Sequence, residues 1–366
     1  MIKKTFLFIL LQVVSMQFYA QNIIENHLIH SISLKEERSI SIALPENYGK
    51  NNLKYPVLYL LDGEYIFDYA KGVVSFLSND FGFCPEMIVV SIPNTNRERD
   101  VTVTLEQGDP FINFVEFINQ ELIPYVSKMY RTNNFNILYG FSSSSGICGY
   151  FLTEIPDTFD GYILSGTGIG NKFKKLIAEK LNNDHFKQNV FFYANTEKGF
   201  REPYLQRYKM VIDSIKPKNL IYRFEVVEES HTNSMKVGLD NGLKLIFSDF
   251  YISEEVSSLG YQEILNYFNE INQNYDSVFN IPLGAINELS GILYNNNKKD
   301  DAIKLLKYGI DLYPNSSHLL GSLAEIYKSE LNFTLAKEYY KKALESSSGN
   351  IESSLKYKSL IKEISQ

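Results

Sequence analysis

Phe135-Asn136-Ile137-Leu138-Tyr139-Gly140-Phe141-Ser142-Ser143-Ser144-Ser145-Gly146 reads as an apolar strand that ends in a serine and turns into a helix. A serine on a sharp strand-to-helix turn projects its hydroxyl above the sheet edge, and small flanking residues let neighbouring elements crowd around it. That is how a nucleophile is displayed. The usual spacing is G-x-S-x-G, and here Ser144 takes the place of the second glycine. Ser144 could serve as nucleophile in a shifted frame, but Ser142 is the serine with Gly140 two residues before it. A Ser-rich loop without chemistry is the plain alternative.

Downstream, the β-type run Phe224-Glu225-Val226-Val227 gives way to Glu228-Glu229-Ser230-His231-Thr232-Asn233-Ser234, and a helical pattern follows from Val237 to Phe250. An isolated histidine is more often a surface or satisfied core residue, yet one at a strand end, after a displayed serine, suits a general base. Between the two lies another strand, Asn189-Val190-Phe191-Phe192-Tyr193-Ala194-Asn195, with Thr196-Glu197-Lys198-Gly199 directly after it. A carboxylate there could orient the imidazole. The order serine, acid, histidine is that of triads carried on α/β-hydrolase sheets and differs from the chymotrypsin-like and subtilisin-like orders.

The chain has 366 residues, 44% of them hydrophobic, which is ample for a packed core and for more than one domain. A net charge of −7 without a basic cluster excludes a phosphate-binding footprint, so nucleic acid is not an expected partner. Trp is absent, and 26 Tyr and 25 Phe supply the aromatic surface. Met1-Ile2-Lys3-Lys4 followed by the apolar stretch from Thr5 to Phe18 and by Tyr19-Ala20-Gln21 reads as an export signal cut after Ala20. An uncleaved anchor is the alternative, but the stretch is short and broken by Gln12 and Gln17. A periplasmic or secreted protein with no stable membrane span is expected. Export permits a disulfide between Cys84 and Cys148, though nothing in the sequence brings them together, and Cys148 reads as a buried thiol. Neither cysteines nor histidines have metal-ligand spacing, so no metal and no cofactor is expected.

Ser31 to Leu44 alternates polar and apolar residues as a strand does, and Pro45-Glu46-Asn47-Tyr48-Gly49 breaks it. Pro56–Leu61 closed by Asp62-Gly63, and Glu86–Ile92 closed by Pro93-Asn94, are continuous apolar runs that suit buried parallel strands. Phe111 to Tyr130 carries Phe114, Phe117, Ile118, Leu122 and Val126 at helical spacing, with Pro124 as a break or kink. Strands alternating with helices through Phe250 predict a mostly parallel sheet covered on both faces, with Asp62-Gly63-Glu64, Asn94 to Asp100, Ser142, Glu197 and His231 gathered along one edge.

Beyond Phe250 the pattern is helical and self-similar. Leu289, Ile292, Ala302, Leu306 and Ile310 recur 34 residues later as Leu323, Ile326, Ala336, Tyr340 and Leu344, the tetratricopeptide period. Two copies alone are marginal, so helices from Gly260 to Asn274 and from Ile351 to Ile364 are expected to cover the ends of the stack. Either the repeat offers a surface to a protein partner or it packs on the sheet domain and shapes access to the cleft. The expected organisation is a signal over residues 1–20, an α/β domain over 21–250, a helical linker over 251–283, and an all-α tetratricopeptide-like domain over 284–366.

Residues from about 27 to 250 resemble the Putative esterase family of α/β-hydrolases, which includes siderophore esterases and esterase D-like enzymes. Tyr55-Pro56-Val57-Leu58-Tyr59-Leu60-Leu61-Asp62-Gly63 resembles its early strand motif, and Asn94-Thr95-Asn96-Arg97-Glu98-Arg99-Asp100 its N-x-x-R-x-R-D loop. Glu121-Leu122-Ile123-Pro124-Tyr125 and Pro156–Tyr162 flank the serine turn as they do there, and the tail resembles a helical extension that some members carry. The resemblance implies an exported serine esterase acting on a small-molecule ester, with Ser142 as nucleophile, His231 as base and Glu197 as acid, while Glu202, Glu228 and Glu229 remain rivals for the acid. It also implies an oxyanion hole from the backbone N–H groups of Ser143 and Glu64. Arg97 and Arg99 could bind an anionic substrate group, although solvated loop charge is the alternative for at least one. Phe141 stands where the family commonly has His, Ser144 and Ser145 replace glycines, and Ser165-Gly166-Thr167-Gly168 lacks a common Trp-containing pattern. A degenerate hydrolase serving only as an interaction module is the competing reading.

Overall fold

Strands buried on both faces must be apolar throughout, and the central runs of this chain are. The computed structural model describes residues 23–106, 108–167, 171–347 and 350–365, and the expected export signal lies outside them. Strands β1 (Ile24–Ser31), β2 (Glu36–Ala43), β3 (Tyr55–Leu61), β4 (Ile88–Ile92), β5 (Thr132–Phe141), β6 (Gly161–Ser165), β7 (Val190–Glu197) and β8 (Leu220–Val227) form one sheet. Their spatial order is β1-β2-β4-β3-β5-β6-β7-β8. Only the β1–β2 and β2–β4 pairs are antiparallel.

Helices follow the strands: α1 (Gly63–Ser75), α2 (Arg97–Val101), α3 (Phe111–Glu116), α4 (Ile123–Met129), α5 (Ser145–Glu154), α6 (Asn171–Lys180), α7 (Glu202–Ile215) and α8 (His231–Ile246). Side chains of a strand point alternately to its two faces. Leu58, Leu60, Ile137 and Tyr139 therefore pack with Ile66 and Ala70 of α1 and Leu239 and Leu243 of α8. Val57, Tyr59, Leu61 and Leu138 pack on the other face with Phe111 and Phe114 of α3, Phe151 of α5 and Leu205 of α7. The chain runs from β3 to β4 on one side and then crosses to β5 on the other, so the topological switch point, where ligands bind in open sheets of this kind, lies beyond the carboxyl ends of β3 and β5.

Two local expectations change. The segment from Ser31 to Leu44 holds a turn as well as strand β2, with Lys35 at φ +55°, and it pairs with β1. Strand β1 escapes a search for apolar alternation because its inward residues include Glu25 and His27, which are satisfied by Tyr130 at 2.5 and 2.7 Å. The helix around Pro124 has no simple kink: a wider π-type stretch, Phe117–Leu122, joins α3 to α4. A proline ring clashes with the carbonyl four residues back, and the widened turn relieves this while keeping Phe114, Phe117, Ile118, Leu122 and Val126 in one core.

The remaining helices are α9 (Glu254–Ser257), α10 (Tyr261–Asn274), α11 (Leu283–Asn295), α12 (Lys299–Leu312), α13 (Ser317–Ser329), α14 (Phe333–Ser346) and α15 (Ile351–Glu363). The pairs α11/α12 and α13/α14 start 34 residues apart, at 283 and 317 and at 299 and 333. Helix α15 lies on the far end, its Tyr357 donating to the Ser317 carbonyl at 2.8 Å. The near end merges with the underside of the sheet. Phe279 meets Phe135 of β5 at 5.3 Å and Tyr275 meets Phe191 of β7 at 4.9 Å between ring centroids. Asn133, in the irregularity where β5 shifts register against β3, donates to the Val278 carbonyl at 3.1 Å. Sheet and helical residues thus share one continuous cluster. These contacts sit at the amino-terminal ends of the parallel strands, about 25 Å from the switch point for a strand the length of β7. The helical array therefore meets the sheet at the opposite strand ends from Ser142.

Candidate active site

Strand β5 ends at Phe141 in extended geometry, and Ser142 then adopts φ +56° before one 3-10 turn leads into α5. A left-handed backbone in a residue with a side chain costs of order 1–3 kcal/mol, so its surroundings must impose it. They do so through hydrogen bonds: the Phe141 N–H donates to Ser144 Oγ at 2.7 Å and Ser145 Oγ donates to the Ser142 carbonyl at 2.5 Å. Gly140 supplies the room, since a Cβ there would come within 2.7 Å of both Cys148 Sγ and the Ser144 carbonyl oxygen. Cys148, the fourth residue of α5, is a buried free thiol, as is Cys84.

His231 is the first residue of α8, capped by Ser230, whose hydroxyl accepts from the Asn233 N–H. That helical turn is pinned to the sheet: Asn195 Nδ2 and Tyr139 Oη donate to the carbonyls of Ser234 and Met235 at 3.1 and 2.9 Å. The imidazole Nε2 lies 3.2 Å from Ser142 Oγ, and Nδ1 lies 3.0 Å from Glu197 Oε2. A neutral ring protonated on Nδ1 satisfies both contacts, donating to the carboxylate and accepting from the serine hydroxyl. Phe141 packs along the ring at 4.8 Å between centroids, and a Cβ on Gly166 would come within 2.9 Å of His231 Cε1. The phenyl ring of Phe141 is thus a wall of the imidazole slot.

Glu197 closes β7, and its Oε1 accepts from Arg201 Nη1 at 2.5 Å. Burial works to raise this carboxyl, but hydrogen bonds from His231, its own backbone and Arg201 outweigh it and hold the group down at about 2. Of the rivals, Glu228 pairs with Lys198 at 2.6 Å and Glu229 accepts from Asn233, while Glu202 opens α7. Glu197 is the carboxylate in contact with the imidazole among the described residues.

Ser143 and Glu64 each occupy the first turn of a helical segment that starts behind a left-handed residue, Ser142 at φ +56° and Asp62 at φ +53°. First-turn N–H groups have no intrahelical acceptor and carry the positive end of the helix dipole. The arginines expected at the substrate are committed elsewhere. Arg97 grips Asp62 with Nε and Nη2 at 2.7 and 2.9 Å, and Nη2 also reaches the Phe141 carbonyl at 3.5 Å. Arg99 faces the outer strands, donating to Glu36 at 2.7 and 2.8 Å and to Asp100 at 2.6 Å, and Asp100 in turn pairs with the buried Arg38 at 2.6 Å. Only Arg97 stands beside the serine turn. Asp62 and Glu36, which hold the two arginines, lie 35 and 63 residues away, and no local pattern reveals them. Arg201 was missed although its spacing of four from Glu197 offered a signal, and the polar Asn195 at the end of an apolar strand offered another. No group of three or more His, Cys, Asp or Glu side chains suits a metal ion among the described residues.

Residues 31–195 match the family model described as Putative esterase. An IroE-like serine hydrolase from Shewanella oneidensis is similar at 25% identity and TM-score 0.67, over 78% of this chain and 99% of that one. An uncharacterised protein from Capnocytophaga ochracea matches at 19% identity and TM-score 0.64, over 94% of this chain and 99% of that one, so the fold it shares extends into the helical array. Siderophore hydrolase EstB from Aspergillus nidulans matches at 18% identity and TM-score 0.51, over 63% and 96% of the two chains. No curated protein matches.

Proposed function

We propose, from the match of residues 31–195 to the Putative esterase family model and the carboxylic ester hydrolysis that goes with it, an exported serine esterase that works through an acyl-enzyme on Ser142. His231 Nε2 takes the proton of Ser142 Oγ as the oxygen attacks the ester carbonyl. The N–H groups of Ser143 and Glu64 receive the charge on the tetrahedral oxyanion, a contribution of about 3 kcal/mol per donor. Collapse expels the alcohol, which leaves with the proton held on Nε2, and the acyl group stays on Ser142. Water then repeats the sequence with His231 as base, releasing the acid. Glu197, ionised at working pH, keeps the proton on Nδ1 and stabilises the imidazolium.

The observation that carries this reading is the continuous relay from Ser142 Oγ through His231 to Glu197, with contacts of 3.2 and 3.0 Å. A short-chain p-nitrophenyl ester assay tests it: Ser142→Ala and His231→Ala should each lower kcat by about 10⁴-fold or more, with the fold intact. Turnover unchanged by either substitution would contradict the mechanism. Export rests on the basic, then apolar, residues 1–20, and sequencing of the mature amino terminus should begin at Gln21. The helical array is proposed to be tetratricopeptide-like, on its 34-residue spacing, and to offer its outer surface to a protein partner.

A further inference from the structure

Ser144 departs from the motif, and its hydroxyl does what a glycine cannot. It is fully buried and accepts from the Phe141 N–H at 2.7 Å, and its one hydrogen faces two acceptors at 2.8 Å, the Phe141 carbonyl and Asp62 Oδ2, of which the charged carboxylate makes the stronger bond. Asp62 is also buried, and each of its oxygens has two donors: Asn94 Nδ2 and Arg97 Nε at 2.7 Å on Oδ1, Ser144 Oγ and Arg97 Nη2 at 2.8 and 2.9 Å on Oδ2. The Asn94 amide spends its second hydrogen on Glu64 Oε1 at 2.7 Å, and the Asn94 N–H reaches Glu64 Oε2 at 3.2 Å. Helix α2 behind these groups is bolted to β2 by the pairs Arg99–Glu36 and Arg38–Asp100. The chain of contacts therefore begins in the core and ends on the two turns that carry Ser143 and Glu64.

We propose that Ser144 and Asp62 are positioning residues: the hydrogen bond between them ties the serine turn to the β3–α1 turn and sets the spacing of the two backbone donors of the oxyanion hole. The inference rests on the esterase reading of the same site. Such donors act only when they sit about 2.7–3.1 Å from the developing oxyanion, and a misplacement of roughly 1 Å costs on the order of 100-fold in rate. Substrate ground-state binding makes far less use of that geometry, so the strut should show in kcat and not in KM.

The test uses the full mature chain, with p-nitrophenyl butyrate as substrate and an alkyl trifluoromethyl ketone as a reversible tetrahedral-adduct probe. Ser144→Ala and Ser144→Gly, the latter restoring the motif's own residue, should each lower kcat roughly 10- to 100-fold, leave KM within about 3-fold, and weaken the ketone by the same factor as kcat. Asp62→Asn should do likewise. The double variant Ser144→Ala/Asp62→Asn should lose no more than about 3-fold beyond the worse single, because both changes break one connection. Thermal melts check folding; should Asp62→Asn not fold, Arg97→Lys, which loosens the two-pronged grip on Asp62, replaces it with the same expected pattern. A kcat within 2-fold of the parent in both Ser144 variants, a ketone affinity that does not follow kcat, or multiplicative losses in the double variant would overturn the strut. Ser142→Ala is run alongside: if it retains turnover, the esterase reading itself fails and takes the strut with it, whereas loss in Ser142→Ala with none in the Ser144 variants defeats the strut alone.

Discussion

The two edges of the sheet differ in the contacts that dominate them. At the carboxyl-terminal edge, two residues with side chains, Asp62 and Ser142, hold left-handed backbone, and buried charges are matched by multiple donors. At the amino-terminal edge, Phe135, Phe191, Phe247, Tyr275 and Phe279 meet ring against ring, and the helical array continues that core. Directional hydrogen bonds can hold strained turns in a fixed geometry, whereas apolar burial is undirected and supplies most of the stability. The division implies that changes at one edge act on turnover and changes at the other act on folding.

The strongest attempt to break that division is Phe279→Ala. The ring is 4% exposed and touches Phe135, Phe247 and Phe250. Its loss should cost about 3–5 kcal/mol in urea unfolding while kcat stays within 2-fold. A fall in kcat without a fall in stability would show that the two edges are coupled. Truncation after Phe250 exposes the same cluster, so that fragment should be insoluble.

Glu197→Gln probes the other edge. It keeps the shape of the acid but removes the charge that faces His231 and Arg201, and kcat should drop roughly 10³-fold with a melting temperature within a few degrees of the parent. Because Glu197 is held down at about 2, its carboxylate is charged at every practical pH; its contribution to stability, present above the unfolded value of 4.5, fades only as pH falls toward 2.

A smaller effect belongs to Glu86, just before β4. Burial, opposed in part by the Asn47 hydrogen bond, pushes its carboxyl up to about 7, and Oε2 has no partner among the described residues. A raised folded value means that the group's stabilisation, complete below the unfolded value of 4.5, is lost as pH rises through about 7. Glu86→Gln should therefore match the parent near pH 4 and be more stable near pH 8, by about 1–3 kcal/mol, with kcat unchanged. A stability difference that does not grow with pH would contradict this.

The serine turn, the parallel strands and the 34-residue helical period were legible because each is a local pattern: small residues after an apolar run, unbroken apolar runs, recurring apolar positions. The sequence also put Ser142, Glu197 and His231 in an order that lets a parallel sheet bring them together. What stayed hidden depends on partners far along the chain. Arg97 and Arg99 read as candidates for an anionic substrate group because Asp62 and Glu36 are remote in sequence, and Ser144 read as a departure from the motif because its carboxylate partner lies 82 residues earlier. Strand β1 hid for a related reason, its polar inward side being satisfied by Tyr125 and Tyr130. The segment read as a linker proved to carry Tyr275 and Phe279, since apolar content alone does not say which surface it covers.

Covalent trapping offers the most direct check on the reactive serine. An alkyl fluorophosphonate should add one phosphonyl group to the protein, lost on Ser142→Ala, with peptide mapping placing the mass on Ser142 and His231→Ala slowing the labelling at least 100-fold. Labelling of Ser144 or Ser145 in place of Ser142, or an equal rate without the imidazole, would contradict the account.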